Sequence, residues 1–271
     1  MNSQNIMLQL IMENEFERFE IERQERILQN KHDINYQEVS ANWVELAMRN
    51  KYVYNFDWLG RPIIQFPQDM VEIQNLIYNV KPDLIIETGI AHGGSLILSA
   101  SILALLDMEE AVLQGKTIDP KVSKRKVLGI DIDIRKHNRK KIENHFLSSR
   151  IEMIEASSTE LSTVRYVQDL ASKYKNVMVF LDSNHTFDHV TKELNAYANL
   201  VSIESYCVVF DTFVENVPSD VFPDRPWGPS DNPMIAVREF LIDNLNFTLD
   251  ESIENKLMIT VAPSGFLKRT H

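Results

Sequence analysis

Acidic residues stand at the ends of short apolar runs in this sequence. Five such runs have strand character, and we take the acids that close four of them as candidates: Glu87, Asp131, Asp182 and Asp211. Ligands of open parallel sheets bind beyond the carboxyl ends of the strands, so these side chains are candidates for one shared site. An acid in this position can also cap the following helix, and a single one would mean little. Four on one edge favour a functional site.

A glycine-rich turn follows the first of these runs. Gly89, Gly93 and Gly94 separate the strand that ends at Glu87 from a helix that begins near Ser95. Glycine permits positive φ and close approach of a ligand to the backbone, and the helix N-terminus offers free N–H donors. The spacing Gly-x-x-x-Gly-Gly differs from the dinucleotide and phosphate-loop signatures, and no Lys adjoins it. A nucleoside triphosphate is therefore disfavoured.

The acids on either side of this turn narrow the choice of cofactor. Asp131 follows the glycines by about one strand–helix–strand unit, where an acid typically binds ribose hydroxyls. That position fits NAD and S-adenosylmethionine (SAM) alike. Glu87 favours SAM, because a carboxylate just before the turn would repel a pyrophosphate and could accept a hydrogen bond from an ammonium group. His92, within the turn, is either a cofactor contact or a packing residue.

Asp182 and Asp211 end the fourth and fifth predicted strands. If these strands are neighbours they lie about 4.8 Å apart, so the carboxylates can converge and must share a proton or a cation. An all-oxygen pair open to water suits Mg²⁺ better than Zn²⁺. Such an ion could hold a substrate hydroxyl, lower its pKa and orient it toward a methyl donor. His185 is a candidate general base, with a loop or capping role as an equal alternative.

Two loops are candidates for contact with a ligand. Segment 52–62 carries four aromatic residues in its first seven positions, which close a core more often than they stack on a ligand. Segment 225–233 contains too many prolines for a helix or a central strand. Its Arg225 and Trp227 predict a basic and aromatic lid over a substrate, with a purely structural loop as the alternative.

The alternation of apolar runs and helical stretches predicts an α/β fold with a parallel sheet covered on both faces. Strands are predicted at 84–87, 127–131, 151–155, 177–182 and 206–211, and two more near 247–249 and 257–261. Helices are predicted at 69–79, 95–106, 136–145, 161–174 and 189–200, and a further one ends near residue 244.

Residues 1–57 are predicted to form an N-terminal helical extension, with the main domain at 58–271. A helix is expected over 6–29, and its irregular apolar stripe indicates packing on another surface or another subunit, hence a homo-oligomer. A polar connector is expected at 31–40 and a short helix at 42–49.

The overall composition limits the partners and the compartment. The chain has 271 residues, a net charge of −11 and one cysteine, Cys207. An acidic surface disfavours nucleic acids and anionic membranes, because phosphate binding needs clustered Lys and Arg. One cysteine allows neither an intramolecular disulfide nor a cysteine zinc site. No apolar run approaches the ~20 residues of a bilayer span, and no signal peptide pattern is present, so a cytoplasmic location is expected.

Four motifs, in the right order, resemble the cephalosporin hydroxylase family, which includes rhamnosyl O-methyltransferases. They are the runs 81–95, 129–135, 181–186 and 208–212, and the resemblance extends from about Trp58 to the C-terminus. It implies the class I SAM-dependent methyltransferase fold, a doubly wound, mostly parallel, seven-stranded Rossmann-like sheet. It also implies an O-methyltransferase that uses SAM, in some members with Mg²⁺, and acts on a hydroxyl of a sugar or small molecule.

The resemblance and the residue arguments above together assign a role to each candidate residue. Those expected at the cofactor are Glu87, Gly89, His92, Gly93, Ser95, Asp131, Ser157, Ser158 and Asp182. Within this set, Asp131 would hold the ribose, and Ser157 or Ser158 would lie near the adenine. Asp182 and Asp211 match metal-binding acids, Asp182 and His185 are the catalytic candidates, and Arg225 and Trp227 the substrate-binding ones.

The chain departs from related metal-dependent enzymes beside the second aspartate. Those enzymes have an acid just before it or an Asn just after it, where this chain has Phe210 and Thr212. A metal would then need Glu215 or His185 as a further ligand, or be absent. A SAM-binding module without catalysis is an alternative function. A true hydroxylase ranks low, because the chain shows no clear set of two His and one carboxylate.

Overall fold

The computed structural model describes residues 3–271, with side chains from residue 14 onward. Two helices begin the chain, α1 (Ser3–Asn30) and α2 (Ile34–Arg49). The helix expected over 6–29 is confirmed, while the part of its apolar stripe before residue 14 lies outside the described side chains. The polar connector expected at 31–40 was wrong. The Asp33 side chain accepts a hydrogen bond from the Tyr36 N–H (2.9 Å) and starts α2 there, as an N-cap does.

The aromatic segment that follows contains a β-hairpin instead of a loop only. Its strands are β1 (Phe56–Trp58) and β2 (Arg61–Ile63). Leu59 and Gly60 form the turn, both with positive φ (46° and 83°), as the two-residue turns that match strand twist require. The Tyr52 ring packs edge-on against Trp43, with 5.2 Å between centroids. The aromatic residues therefore largely close a core, as the more frequent of the two interpretations predicted.

The central sheet has seven strands in the described residues and confirms the predicted fold class. The strand order is β5-β4-β3-β6-β7-β9-β8, with β3 to β7 parallel and β9 antiparallel to both of its neighbours. The strands are β3 (Leu84–Thr88), β4 (Lys126–Asp131), β5 (Ile151–Glu155), β6 (Val177–Leu181), β7 (Tyr206–Val209), β8 (Phe247–Leu249) and β9 (Phe266–Arg269).

The strand expected near 257–261 was wrong. That stretch follows a short helix and leads into a turn, and the strand lies at Phe266–Arg269. Gly265 fixes this register: the Val209 N–H donates to its carbonyl (2.8 Å), and a Cβ on Gly265 would lie 2.1 Å from the Val209 carbonyl oxygen. A side chain there would hold β7 and β9 apart.

Helices cover both faces of the sheet. They are α3 (Pro67–Val80), α4 (Gly94–Gln114), α5 (Lys136–Glu143), α6 (Leu161–Ala171), α7 (Phe187–Tyr197), α8 (Pro233–Asp243) and α9 (Glu251–Leu257). Alternate strand residues belong to opposite cores: Ile85 to the one with α3 and α4, Leu84 and Ile86 to the one with α7 and α8. Strands buried on both faces explain the continuous apolar runs. None of the described helices is long and apolar enough to cross a membrane.

Candidate active site

The parallel strands bring the strand-end acids to one edge of the sheet. Strand β6 pairs with both β3 and β7, in register at Thr88↔Leu181 and Leu181↔Val209. Asp182 and Asp211 therefore follow adjacent strands, as the interpretation of their convergence required. One ligand atom each of Asp182, His185 and Asp211 lie within 4.8 Å of one another. The structure thus collects three of the predicted catalytic and metal-binding residues in one cluster.

His185 and Asp211 are in direct contact. The His185 Nε2 lies 3.0 Å from Asp211 Oδ2, and both side chains are partly exposed. Asp211 has a positive φ of 56°, a conformation that costs a non-glycine residue roughly 1 kcal/mol or more. The left-handed residue turns the chain from β7 into the short helix Thr212–Asn216. Backbone strain at this position marks Asp211 as a residue held in place by its surroundings.

The two aspartates have raised pKa values. Burial raises the pKa of Asp182 well above its usual range, and Asp211 and Glu87 nearby raise it further. Burial also raises the pKa of Asp211, while His185 and Arg225 act in the opposite direction. Neighbouring carboxylates in a poorly solvated place favour a shared proton or a bound cation. Two carboxylates and water suit Mg²⁺, so the donor set fits the expected metal.

The two residues beside Asp211 that differ from related enzymes face the protein core. Phe210 is buried and packs edge-on against Phe180, with 6.0 Å between ring centroids. Thr212 donates from Oγ1 to the Pro263 carbonyl (2.6 Å). Glu215, one of two candidates for a further ligand, accepts from the Ser230 N–H and the Asn232 amide (2.8 and 2.6 Å). Of the two candidates only His185 lies beside the aspartates, where it is either a further ligand or the general base that the sequence predicts.

Glycines of the turn are needed because protein atoms pack against them. Gly89 and Gly93 have φ of 87° and 83°. A Cβ on Gly89 would lie 2.0 Å from the Asp182 carbonyl oxygen, and one on Gly93 would lie 2.4 Å from Ile142. Positive φ was predicted; the close approach to other parts of the protein was not. Asp131 secures the same turn, since its Oδ2 accepts from the Ile90 N–H (2.8 Å).

Glu87 carries a buried oxygen that has no partner. The Ser95 hydroxyl donates to Glu87 Oε1, and Oε2 makes no hydrogen bond. Burial raises the pKa of Glu87 to about 8, although the bond from Ser95 counteracts it. A buried carboxylate oxygen without a donor is costly unless a ligand supplies one. The sequence predicts the ammonium group of SAM as that donor, and this stays a prediction, because Glu87 is absent from the wall of the cavity described below.

Residues that sequence reasoning missed lock the turn from outside. Arg61 of the hairpin donates from Nε to the His92 carbonyl (2.9 Å) and from Nη2 to Asn138 Oδ1 (2.9 Å). Asn138 in turn donates to the Ala91 carbonyl (2.9 Å). These residues lie far apart in the chain, and no local sequence pattern predicts their hydrogen bonds. His92 is held here by its backbone and is one of the residues that line the cavity described next.

A cavity of about 360 Å³ opens beside the acid cluster. Four parts of the chain form most of its wall: the glycine turn, strand β2 with the residues that follow it, the loop from Asp182 to His185 with Asp211, and the predicted lid. Within the lid, Trp227 lies edge-on to His185 (5.4 Å), and the Arg225 guanidinium lies 5.8 Å from the Trp227 ring. The predicted substrate-binding residues and the acid cluster thus face the same space.

The residues expected at the adenine and ribose lie outside this cavity. Ser157, Ser158 and Asp131 are absent from its wall. Ser158 is buried and its Oγ lies 3.2 Å from His189 Nε2, while the Ser157 Oγ lies 3.2 Å from the Thr159 hydroxyl. Glu87 and Gly93 are absent from the wall as well, so the cavity collects four of the residues expected at the cofactor, Gly89, His92, Ser95 and Asp182. The contacts of all these residues with the cofactor remain a prediction.

Asp69, another residue that the sequence did not single out, shapes the far wall of the cavity. It is fully buried in α3 and accepts from the Thr260 hydroxyl (2.5 Å) and from the Val261 N–H (2.9 Å). Val261 lines the cavity. In the sequence, an acid in the first turn of a helix is explained by its favourable interaction with the helix dipole. The contact of Asp69 with residue 260 therefore could not be predicted from the sequence.

Replacing Asp69 by Asn should make the protein more stable than the wild type as the pH rises. Burial raises the pKa of Asp69 from 3.8 to about 7. The folded state then binds the proton more tightly than the unfolded state, so the stability of the wild type falls between about pH 4 and pH 7. The shift corresponds to at most about 4 kcal/mol. Urea unfolding of both proteins at pH 5 and pH 8 measures the difference; a pH-independent difference would contradict the prediction.

The order of the sheet, with β9 as its antiparallel strand, and the glycine turn after β3 define a class I SAM-dependent methyltransferase fold. Residues 50–270 match the model of the family described as Rhamnosyl O-methyltransferase/CmcI, and the chain belongs to this family. Its relatives are methyltransferases, as the resemblance predicted.

Two curated relatives and one solved structure illustrate the similarity. A rhamnosyl O-methyltransferase of Mycobacterium tuberculosis H37Rv is 28% identical over 206 residues, which cover 74% of this chain and 73% of the relative. That of Mycobacterium leprae is 27% identical over 213 residues, covering 78% of this chain and 82% of the relative. The structure described as "cmcI-D160 Mg-SAM" is 15% identical with a TM-score of 0.48, covering 80% of this chain and 78% of that one.

Proposed function

We propose that this protein is a SAM-dependent O-methyltransferase, assisted by a divalent metal, that acts on a hydroxyl of a sugar or of a small natural-product-like acceptor. The observation that carries the proposal is the cluster of Asp182, His185 and Asp211 on a cavity that also adjoins the glycine turn. Membership of the family supports methyl transfer, and the name of the curated relatives supports a sugar acceptor.

The cofactor residues act by binding and orientation. When bound, SAM supplies a methyl group that is already activated by the adjacent sulfonium. Glu87 is the proposed acceptor for the ammonium group, because its Oε2 is buried and has no other donor. Ser95 fixes the carboxylate through Oε1. The turn is kept rigid by Asp131 and Arg61, so the methionine end is held in one orientation.

The acid cluster is proposed to remove the acceptor proton. The Asp211 carboxylate accepts from His185 Nε2–H at 3.0 Å, which selects the tautomer with a free lone pair on Nδ1. Nδ1 takes the proton of the acceptor hydroxyl, and Asp211 stabilises the resulting imidazolium. A divalent ion held by Asp182 and Asp211 would lower the pKa of that hydroxyl. Trp227 and Arg225 cover the acceptor, so that its oxygen stays in line.

Replacing Glu87 by Gln should weaken the binding of S-adenosylhomocysteine (SAH), which retains the ammonium group. Loss of a charge-assisted hydrogen bond costs about 1.5 kcal/mol or more, roughly a tenfold rise in Kd. Isothermal titration calorimetry measures the change. Glu155→Gln is the matched control, because Glu155 ends β5 and pairs with Arg139 at the surface (3.1 Å). Equal affinities of the two variants would remove Glu87 from the cofactor site.

The function itself can be tested without knowledge of the acceptor. SAM labelled in its methyl group is incubated with the protein and pools of nucleotide sugars, glycans and glycosylated small molecules, with and without EDTA. Transfer to a hydroxyl, suppressed by EDTA and restored by Mg²⁺, is the expected result. Transfer that EDTA does not affect would remove the metal from the proposal. SAM binding with no transfer to any pool would favour a binding module without catalysis.

The N-terminal extension is proposed to serve a homo-oligomer. In α1, residues 14–19 are exposed and include Phe16 and Phe19, among interspersed Glu and Arg that a second copy could pair with. The boundary at residues 57 and 58 is kept as a proposal, although Met48 and Tyr54 already line the cavity. Light scattering of the full chain and of a chain lacking residues 1–30 tests this role.

A cytoplasmic location, where SAM is available, is part of the same proposal.

A further inference from the structure

Gln65 is a buried polar residue at the active-site edge that has no role in the mechanism above. It lies between β2 and α3 and is only 6% exposed. Its neighbours fix the backbone on both sides. Ile63 is buried against Gly94 of α4, and Phe66 is fully buried with its ring 5.4 Å from that of Trp43. The Gln65 amide is therefore presented by a part of the chain that has little freedom to move.

The amide of Gln65 reaches one of the proposed metal-binding residues. Its Nε2 donates to Asp182 Oδ2 at 3.3 Å, and its Oε1 is buried without a partner. When Asp182 is ionised, as it would be with a cation bound, the opposite amide orientation would place two acceptors, the carbonyl and the carboxylate, against each other. The contact with Asp182 therefore fixes which way the amide faces and leaves its carbonyl oxygen in need of a donor.

A second, smaller space supplies the place for that donor. Gln65, Glu87 and Asp182 all line a void of about 20 Å³ that lies among apolar side chains such as Phe180. A single water molecule needs roughly 10–15 Å³ of such space and two to four polar partners. When Glu87 is ionised, two of the lining residues carry an acceptor without a partner, Gln65 Oε1 and Glu87 Oε2. A water molecule has two hydrogens and can donate one to each oxygen, and the second lone pair of Glu87 Oε2 stays free for the ammonium group proposed above.

We propose that Gln65 is a positioning residue that holds the Asp182 carboxylate and joins it, through one buried water molecule, to Glu87. The inference rests on the proposed function, because it gives Asp182 a metal and Glu87 a cofactor to hold. It adds a physical connection between the two binding sites. Residues that hydrogen-bond to a metal ligand and fix its orientation typically contribute 10- to 100-fold to metal affinity. Gln65 therefore influences two ligands, neither of which it needs to contact.

Gln65→Met tests the connection, because Met has a similar shape and lacks both hydrogen-bonding groups. Calorimetry with Mn²⁺ should show about a tenfold loss of metal affinity, and calorimetry with SAH a smaller loss. The electron paramagnetic resonance spectrum of bound Mn²⁺ should also change, which a purely structural role would not produce. The matched control is Gln68→Met, since Gln68 is partly exposed and makes no side-chain hydrogen bond among the described residues. Both variants are compared at a temperature at which each is fully folded.

The outcomes separate the inference from the function. A wild-type protein that binds neither Mn²⁺ nor SAH overturns the proposed function and this inference with it. Wild-type binding with equal affinities in the Gln65 and Gln68 variants overturns the role of Gln65 alone. If Gln65→Met does not fold, a high-resolution crystal structure of the wild type decides instead. It should contain an ordered water between Gln65 Oε1 and Glu87 Oε2, and an empty void there would overturn the connection.

Discussion

Replacing Asp182 by Asn is expected to lower the rate of methyl transfer by about three orders of magnitude, with little change in SAH binding. Asn keeps the shape of the side chain and can still accept a hydrogen bond from Gln65. The substitution removes one of the two carboxylates that would hold the cation. Loss of one preorganised electrostatic group at a reacting centre typically costs 10²–10³ in kcat, and weaker metal binding adds to this. Transfer from labelled SAM and calorimetry with SAH measure the two quantities separately.

The control for this variant lies in the helix that follows. Asp188 lies in the first turn of α7, and its side chain is 77% exposed and pairs with Lys192 alone among the described residues. Asp188→Asn should leave both transfer and SAH binding at the wild-type level. A large loss of SAH affinity in Asp182→Asn would contradict the assignment, because it would move Asp182 from the metal to the cofactor. Unchanged transfer would remove it from the site altogether.

Replacing His185 by Gln is expected to slow the reaction by 10²–10⁴, the usual contribution of a general base. The increase of rate with pH that a base produces should also disappear in the variant. Gln can still donate to Asp211, so the hydrogen bond at 3.0 Å has a replacement and the cluster keeps its geometry. The pH–rate profile of single-turnover transfer, at saturating SAM, distinguishes the loss of a base from the loss of binding.

His137→Gln is the appropriate control for this comparison. His137 lies exposed on α5, away from the cavity wall, so its replacement should not change the rate or its dependence on pH. A profile of His185→Gln that is lower at every pH but keeps the wild-type shape would contradict the base assignment. Such a result would fit a metal ligand better, because a lost ligand lowers the rate without removing a proton acceptor.

The sequence by itself determined the architecture of the sheet and the edge on which the site lies. Strands buried on both faces are apolar at nearly every position, so their runs are visible without any knowledge of contacts. Parallel strands also place their carboxyl ends together, so Glu87, Asp131, Asp182 and Asp211 could be assigned to one edge. Five of the strands were predicted in this way, while the pairing of β6 with β7, on which the convergence of Asp182 and Asp211 depends, was only a condition until the structure met it.

Local signals failed where a distant contact decides the structure. The last strand was placed at 257–261 because that run is apolar, but β9 forms at 266–269, where Gly265 lets the chain approach Val209. The start of α2 depended on one capping contact of Asp33, which the polar composition of 31–40 concealed. Short runs and helix ends have little local pattern, and tertiary packing overrides it.

The site divides in the same way. Residue types at strand ends indicated which side chains could do chemistry. The charge of a residue and its position at the end of an apolar run can both be read from the sequence. Their partners came only from the tertiary structure: Gln65 reaches Asp182 across 117 positions, Arg61 holds His92 across 31, and Asp69 holds Thr260 across 191. Hydrogen bonds between segments so far apart leave no periodicity or spacing in the sequence. The candidate catalytic acids could therefore be predicted from the sequence. The residues that hydrogen-bond to the site and fix its geometry were identified only from the tertiary structure.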